Sequence, residues 1–209
     1  MERERGFRLM AGRKFKGNRL AVALLAPAIA AVSLWALPAA AGDVTDQAAE
    51  AENLLAAGKA DEAEAAFGKA FAAFWTASTL QFHVALFADS VAGFGKYQPR
   101  AADQPFKPGD NLLVYLEPIN YGFTADGDLF RVALTADIEI RTPGGLTLAK
   151  AGDFGRMEWS GRAKTHEVHA TISFPVPDLK PGDYQLLVTV HDQGSPKTAT
   201  LTFPFAVAK

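Results

Sequence analysis

The fold is decided by the stretch Val132-Ala133-Leu134-Thr135-Ala136-Asp137-Ile138-Glu139-Ile140, in which one strongly apolar set of side chains alternates with a more polar set. Successive side chains of a β-strand point to opposite faces of a sheet, so this pattern predicts a half-buried strand. The same period of two recurs in four further stretches, which are residues 80–87, 167–174, 184–190 and 201–207. The sequence therefore predicts a mainly β protein with antiparallel sheets.

Turn-forming residues separate these strands, and the tetrapeptide Lys-Pro-Gly-Asp occurs twice, at residues 107–110 and 180–183. The segment from Val176 to Val188, followed by Phe203-Pro204-Phe205-Ala206-Val207, resembles the closing hairpin of immunoglobulin-like domains in exported bacterial proteins. This resemblance covers about the last 30 residues and implies an immunoglobulin-like β-sandwich. We assign that sandwich to residues 78–209, and we expect Pro204, which has no amide proton, on an edge strand or at a strand end.

Upstream of the strands, apolar residues recur with helical period. Between Asp43 and Trp75 the spacing predicts two antiparallel helices, joined at Gly58, over residues 42–77. Asp61 and Glu64 have the spacing of a capping box, which predicts that the second helix begins at Asp61. The class predicted for the whole chain is an antiparallel immunoglobulin-like β-sandwich with an N-terminal α-helical hairpin.

This hairpin resembles a single tetratricopeptide repeat, and the likeness rests on Leu54, Gly58, Ala63, Phe67 and Ala70. One such unit cannot bury both of its faces. Its second helix carries a stripe of three phenylalanines, Phe67, Phe71 and Phe74. Since a two-helix hairpin is too small to bury three phenylalanine rings, we expect the stripe to pack on the sandwich; the alternative is a partner protein.

The first 41 residues have the pattern of a secretory signal peptide. Seven Lys and Arg side chains precede an apolar run from Leu20 to Ala41, which ends in Ala39-Ala40-Ala41. We expect cleavage before Gly42 and a periplasmic location. The alternative is an uncleaved anchor, because 22 residues are long enough to span a bilayer as a helix.

Removal of residues 1–41 takes away seven basic and two acidic side chains, which changes the formal net charge from −2 to −7. An acidic protein is repelled by phosphates and by anionic lipid heads. We therefore expect neither a nucleic acid nor, after signal cleavage, a membrane as partner, and predict another protein of the cell envelope. The sequence does not indicate an oligomeric state.

The chain contains no cysteine, which excludes disulfides, thiolate metal sites and cysteine nucleophiles. No nucleophile elbow, phosphate-binding glycine loop or metal-binding histidine pair on a helix is present in the sequence. His166 and His169 point to opposite faces if they lie on one regular strand, and Asp126-Gly127-Asp128 offers too few oxygen ligands for calcium. We therefore predict no catalytic residue, no cofactor and no metal.

The most unusual polar residues lie between the first strand and the stretch 132–140, and we select six of them as a candidate binding surface: Tyr97, Arg100, Tyr115, Glu117, Asn120 and Tyr121. If the chain folds back symmetrically about Pro108-Gly109, Arg100 stands opposite Glu117, which predicts an ion pair across two strands.

Three functions compete at this point. The first is a non-enzymatic interaction protein of the bacterial cell envelope, which requires an exposed apolar patch. The second is a carbohydrate-binding module, which requires a solvent-facing row of aromatic rings such as Trp159, Tyr121 and Tyr115. The third is a small hydrolase, which requires clustered carboxylates with shifted pKa in a cleft. The sequence favours the first.

Overall fold

The computed structural model describes residues 40–107 and 109–209. Residues 1–39 of the predicted signal peptide lie outside the described residues. Within the described part no helix is both long and apolar enough to cross a bilayer. In residues 40–107 and 109–209 two helices precede nine strands. Their bounds are α1 Ala40–Ala56, α2 Ala60–Ala77, β1 Gln81–Gly93, β2 Lys96–Pro99, β3 Asn111–Ile119, β4 Thr124–Asp126, β5 Leu129–Arg141, β6 Thr147–Gly161, β7 Ala170–Pro175, β8 Gly182–Asp192 and β9 Thr198–Val207.

The helices α1 and α2 form the predicted hairpin. Small side chains fill the space between them, which allows the two backbones to approach closely, and the buried ones are Ala51, Ala63, Ala66 and Ala70. The turn depends on Gly58, whose φ of 73° lies in the left-handed region that favours glycine. The predicted capping box is wrong: α2 begins one residue before Asp61, and Lys59 precedes it without a side-chain cap.

The nine strands of the described part of the chain form two antiparallel sheets. The first has the strand order β2-β1-β3-β7, and the second has the order β4-β5-β8-β9, with β6 paired to β5. The prediction of a mainly β protein with antiparallel sheets and two N-terminal helices is confirmed. Strand β9 ends the order of the second sheet, so Pro204 lies on an edge strand as predicted.

Strand β1 changes its partner along its length. Residues 81–87 pair with β3, whereas residues 88–93 pair with β2. Irregular register accompanies the β1–β2 pairing, with shifts between Ala88 and Ser90 and between Val91 and Gly93. β-Bulges of this kind bend a strand. The β1–β2 hairpin therefore does not continue the β1–β3 pairing.

Both sheets contribute to one hydrophobic core. Alternate residues of β3 and β7 meet alternate residues of β5, β8 and β9 in a single cluster. Its fully buried members include Leu112, Val114, Leu186 and Val188. Burial of each such side chain stabilises the fold by about 1.5–3 kcal/mol relative to leaving it in water.

Candidate interaction site

Three of the six predicted residues come together on the face of β3 that points away from the core. The Tyr115 hydroxyl donates a hydrogen bond to Oε1 of Glu117 at 2.6 Å and accepts one from the backbone N–H of Gly95 at 2.8 Å. The ring of Tyr97 stacks on the ring of Tyr115, with 4.3 Å between their centroids. The His169 ring lies roughly parallel to that of Tyr115 at 5.8 Å.

The centre of this cluster, Tyr115 and Glu117, is buried, whereas Tyr97 and His169 at its rim are half-buried. Tyr115 is 0% exposed and Glu117 is 5% exposed, although they lie on the face of β3 opposite the core residues Val114 and Leu116. Gly95 and Tyr97, at the tip and in the second strand of the β1–β2 hairpin, supply the covering contacts. Burial, followed by the hydrogen bond to Glu117, raises the pKa of Tyr115 to about 12. The cluster holds the hairpin against the sheet, and the Tyr115 hydroxyl uses its hydrogen bonds within it.

Arg100 does not belong to this cluster, and the predicted ion pair with Glu117 is wrong. The guanidinium of Arg100 donates to Asp89 at 2.9 Å and to the carbonyl of Pro105 at 3.1 Å, and its central carbon lies 4.0 Å from the centre of the Phe106 ring. The physical reason is the change of partner in β1, because the N–H of Arg100 bonds to the carbonyl of Phe87 and continues the β1–β2 pairing.

A cavity of about 630 Å³ adjoins Arg100, and its ionisable lining residues are Asp89, Arg100, Lys107 and Asp110. Two basic and two acidic side chains balance each other there. Arg100 is paired with Asp89, and its Nη2 also lies 3.7 Å from Asp110. The lining therefore shows no preference for an anion or a cation.

The other two predicted residues, Asn120 and Tyr121, lie where α2 meets the sheets. The indole Nε1 of Trp75 donates to the carbonyl of Tyr121 at 2.7 Å. The ammonium of Lys197 donates to the carbonyls of Trp75 and Asn120, at 3.1 and 2.7 Å. Asn120, with a φ of 64°, donates its side-chain amide to the carbonyl of Thr79 at 3.0 Å. These contacts fix the end of α2, and we call this region the joint.

Aromatic rings fill the joint around His166. The centroid of the His166 ring lies 4.4 Å from Trp75, 4.9 Å from Phe71 and 5.7 Å from Phe123. Burial among these rings lowers the pKa of His166, and the nearby charge of Lys164 lowers it further. Tyr121 is also buried here and donates its hydroxyl to the carbonyl of Thr165 at 2.7 Å.

Two loops touch backbone to backbone beside the joint. The buried carboxylate of Asp192 accepts the N–H of Gly122 at 2.6 Å and the N–H of Gly194 at 2.9 Å. A Cβ atom added to Gly122 would lie 2.7 Å from the carbonyl carbon and oxygen of Gly194. Glycine is therefore required at position 122 by a close approach of two backbones.

Trp75 and Lys197 were missed among the sequence candidates. The position of Trp75 in the sequence could have indicated its role. It is a large aromatic residue that directly follows Phe74, beside the phenylalanine stripe of α2. Nothing in the sequence indicates a role for Lys197, because it follows a loop and its two acceptors are backbone carbonyls distant in sequence.

The phenylalanine stripe does not pack on the sheets as expected. Phe67 is 63% exposed, Phe74 is 54% exposed, and Phe71, which contacts the joint, is still 39% exposed. The reason is that α2 docks through Trp75, while its alanines fill the contact with α1. Among the described residues, four of the seven large apolar side chains that are exposed therefore lie on the hairpin, namely Leu55, Phe67, Phe71 and Phe74; the other three are Phe94, Leu146 and Leu148.

A groove of about 370 Å³ runs along the hairpin beside Phe67. We call it the hairpin groove, and it is lined by Ala48, Ala51, Glu52, Leu55, Ala60, Ala63, Glu64 and Phe67. Leu55, on the side formed by α1, is 65% exposed. Of the described residues that line the groove, two are carboxylates and none is basic.

Three of the four histidines, His166, His169 and His191, contact different residues. His166 lies in the joint, His169 beside Tyr115, and His191 pairs with Asp137 at 3.0 Å. Across residues 40–107 and 109–209, no group of three His, Asp or Glu side chains is arranged to hold a metal ion. Because Tyr115 and Tyr121 are buried, they do not form a solvent-facing aromatic row with Trp159.

Comparison with known proteins adds no family. No family model matches the chain, and no curated protein matches it. One solved structure that matches is an alkylpurine DNA glycosylase, AlkC of Pseudomonas fluorescens, bound to DNA containing an abasic site analog. It is 13% identical with a TM-score of 0.34, and the match covers 68% of this chain and 33% of that chain. The match thus spans about a third of the glycosylase, and a TM-score of this size establishes no common fold.

Proposed function

We propose that this chain is an exported, non-enzymatic interaction protein of the bacterial cell envelope, which acts in the periplasm by binding another envelope protein. Its parts are a cleaved signal peptide over residues 1–41, a helical hairpin over residues 42–77 and an immunoglobulin-like β-sandwich over residues 78–209. The hairpin is the binding element, and the sandwich is its scaffold.

The exposed apolar surface of the hairpin carries this proposal. Leu55, Phe67 and Phe74 each leave more than half of their surface in water. Covering such a side chain fully is worth about 1.5–3 kcal/mol, so a partner that covers all three gains a substantial part of its binding energy there. Leu55 and Phe67 also line the hairpin groove together, and exposed apolar side chains that are grouped in this way support a binding role.

The immunoglobulin-like assignment is supported by two antiparallel sheets around one core, and by the antiparallel pairing of β8 with β9 in the second sheet. Export is supported by the basic and apolar pattern of residues 1–41. N-terminal sequencing of the protein from the periplasm tests export, and we expect Gly42 or a residue within two positions of it as the first residue.

Site-specific photo-crosslinking in intact cells tests the binding function. A photoreactive residue in place of Phe67 should give one discrete adduct with another envelope protein. The matched control is the same residue in place of Lys69, which is exposed on a different side of α2. Equal labelling from both positions, or no adduct from position 67, would contradict binding through the hairpin.

A further inference from the structure

We infer that the hairpin groove binds an amphipathic helix of the partner, with an apolar face bordered by Lys or Arg side chains. This inference rests on the proposed function and adds the chemistry of the bound segment. Three features of the groove lead to it: its charge, the shape of its floor and the geometry of its apolar side chains.

The charge of the groove selects a basic segment. Glu52 of α1 and Glu64 of α2 line the groove, and both are exposed. From Asp43 to Trp75 the hairpin carries seven carboxylates and two lysines, which gives it a formal charge of −5. A segment with Lys or Arg beside its apolar face is attracted by this negative charge. An anionic lipid surface or a nucleic acid is repelled by it.

The same charge argues against a second copy of this chain in the groove. In a symmetric dimer each hairpin presents the same patch to the other, so Glu52 and Glu64 of one copy would meet the equally acidic surface of its partner. Like charges brought together in an interface oppose association. The partner must therefore differ from this chain in the sign of its charge.

The floor of the groove favours a helix as the bound element. Its small side chains, among them Ala48, Ala51 and Ala63, permit the close approach at which helices pack side by side. Neither α1 nor α2 offers free backbone groups along its middle, because these groups bond within the helix. An extended segment would lie there with its own backbone N–H and C=O groups unpaired, whereas a helix satisfies them internally.

The length of the partner helix follows from the apolar side chains. Ala60, which lines the groove, and Phe74 lie 14 residues apart on α2, a distance of about 21 Å along its axis. The hairpin helices have 17 and 18 residues. A partner helix of about four to five turns covers the groove and the exposed phenylalanines together.

Binding of labelled synthetic helices tests the inference. The probes are three 18-residue peptides: an amphipathic Leu/Lys helix, the same helix with Glu in place of Lys, and a Leu/Lys peptide of scrambled order. Their dissociation constants are measured by fluorescence anisotropy against the protein purified after export. We expect the amphipathic Leu/Lys helix to bind at least about tenfold more tightly than either of the others.

Charge reversal in the groove supplies the decisive comparison. The double variant Glu52→Lys/Glu64→Lys should lose about tenfold in affinity for the Leu/Lys helix and gain affinity for the Leu/Glu helix. Both positions are exposed, so circular dichroism should show an unchanged fold. The control, Asp178→Lys/Asp183→Lys, makes the same change in net charge at exposed positions outside the hairpin and should bind as the unmodified protein does.

Several results would overturn the inference. One is equal binding of the scrambled and amphipathic Leu/Lys peptides, and another is an equal loss of affinity in both charge-reversed proteins. A homodimer crosslinked through position 67 would place a second copy in the groove. A partner captured at position 67 through an acidic or non-helical segment would leave the proposed function intact and refute only this inference. Absence of any adduct at position 67 would refute the proposed function itself.

Discussion

Trp75 and Tyr121 meet edge to face, with 5.1 Å between their ring centroids, and the indole N–H of Trp75 also donates to the carbonyl of Tyr121. The two residues lie 46 positions apart in sequence. The Trp75 side chain thus gives α2 both an apolar contact with the sheets and a hydrogen bond to them. The position of the hairpin, and of the apolar surface that it carries, depends on this pair.

Replacement of Trp75 by alanine should therefore destabilise the protein strongly. Loss of a buried tryptophan costs about 3–5 kcal/mol in the free energy of unfolding, measured by urea denaturation. Phe74→Ala is the control, because Phe74 is the next residue back along α2 and is mostly exposed; its effect should stay below about 1 kcal/mol. Equal effects of the two variants would contradict docking through Trp75.

The Lys197 ammonium should stabilise the joint by its two bonds to backbone carbonyls. In Lys197→Met the carbonyls of Trp75 and Asn120 lose this donor, and we expect a loss of about 1–3 kcal/mol in the free energy of unfolding. Lys180→Met removes an exposed ammonium and should change stability by less than about 0.5 kcal/mol. A neutral effect at position 197 would show that water replaces the ammonium without cost.

The hydroxyl of Tyr115 should hold the β1–β2 hairpin against the sheet. Tyr115→Phe keeps the stacked ring but removes the donor to the buried carboxylate of Glu117, and a loss of about 1–3 kcal/mol is expected. Tyr97→Phe, which alters the hydroxyl of the other stacked ring, is the matched control and should be close to neutral. Proteolysis at Phe94 and Lys96, near the hairpin tip, should accelerate in Tyr115→Phe only.

The joint should weaken as the solution becomes more acidic. The pKa of His166 is lower in the folded protein than the ordinary histidine value, chiefly because the ring is buried. Below about pH 6.5 the unfolded chain therefore binds a proton at His166 that the folded chain does not. As the pH is lowered from there toward the pKa of the folded protein, the free energy of unfolding decreases. His166→Phe keeps a ring among Phe71, Trp75 and Phe123 and should remove this part of the pH dependence.

Urea denaturation at pH 7.5, 6.5 and 5.5 measures this effect in both proteins. As the pH is lowered, the unmodified protein should lose more of its free energy of unfolding than His166→Phe does. A difference that stays constant over this range would show that protonation of His166 does not affect folding.

Much of the fold follows from periodicity in the sequence. The stretch 132–140 lies inside β5, and the alternating residues 184–190 lie inside β8, because each strand keeps one face in the core without interruption. The turn at Gly58 was also predictable, since few other residues adopt its backbone conformation at low cost.

Strand β6 was not predicted, and its irregularity explains why. Its pairing with β5 shifts between Gly155 and Ala151, and Asp153 within that shift has a φ of 51°. Two steps along β5, from Ala136 to Ile138, lie opposite four steps along β6, so the shift places two extra residues in β6, and residues inside this bulge leave the regular alternation. Ala151 and Phe154 both pack on the core although they differ in parity, so the period of two is lost.

The candidate residues were less predictable than the strands. The pairing of Arg100 with Glu117 assumed one symmetric fold-back of the chain, whereas β1 in fact pairs with both β2 and β3. The stripe of α2 was identified from its spacing, but spacing does not say which side of a helix meets the sheets. That choice depends on Trp75, Lys197 and the 120–123 segment, which come together only in the folded protein.

The contact between Gly122 and Gly194 has a consequence for how this protein can vary. At most interior contacts a larger side chain at one position can be accommodated by a smaller one at its neighbour. Here neither residue has a side chain to shorten, because each Cβ position is already occupied by the backbone of the other loop. Substitution at either position can be rescued only by moving a backbone, through insertion or deletion in one loop. Related sequences that keep this joint should therefore keep both glycines together or change the length of a loop when they lose one.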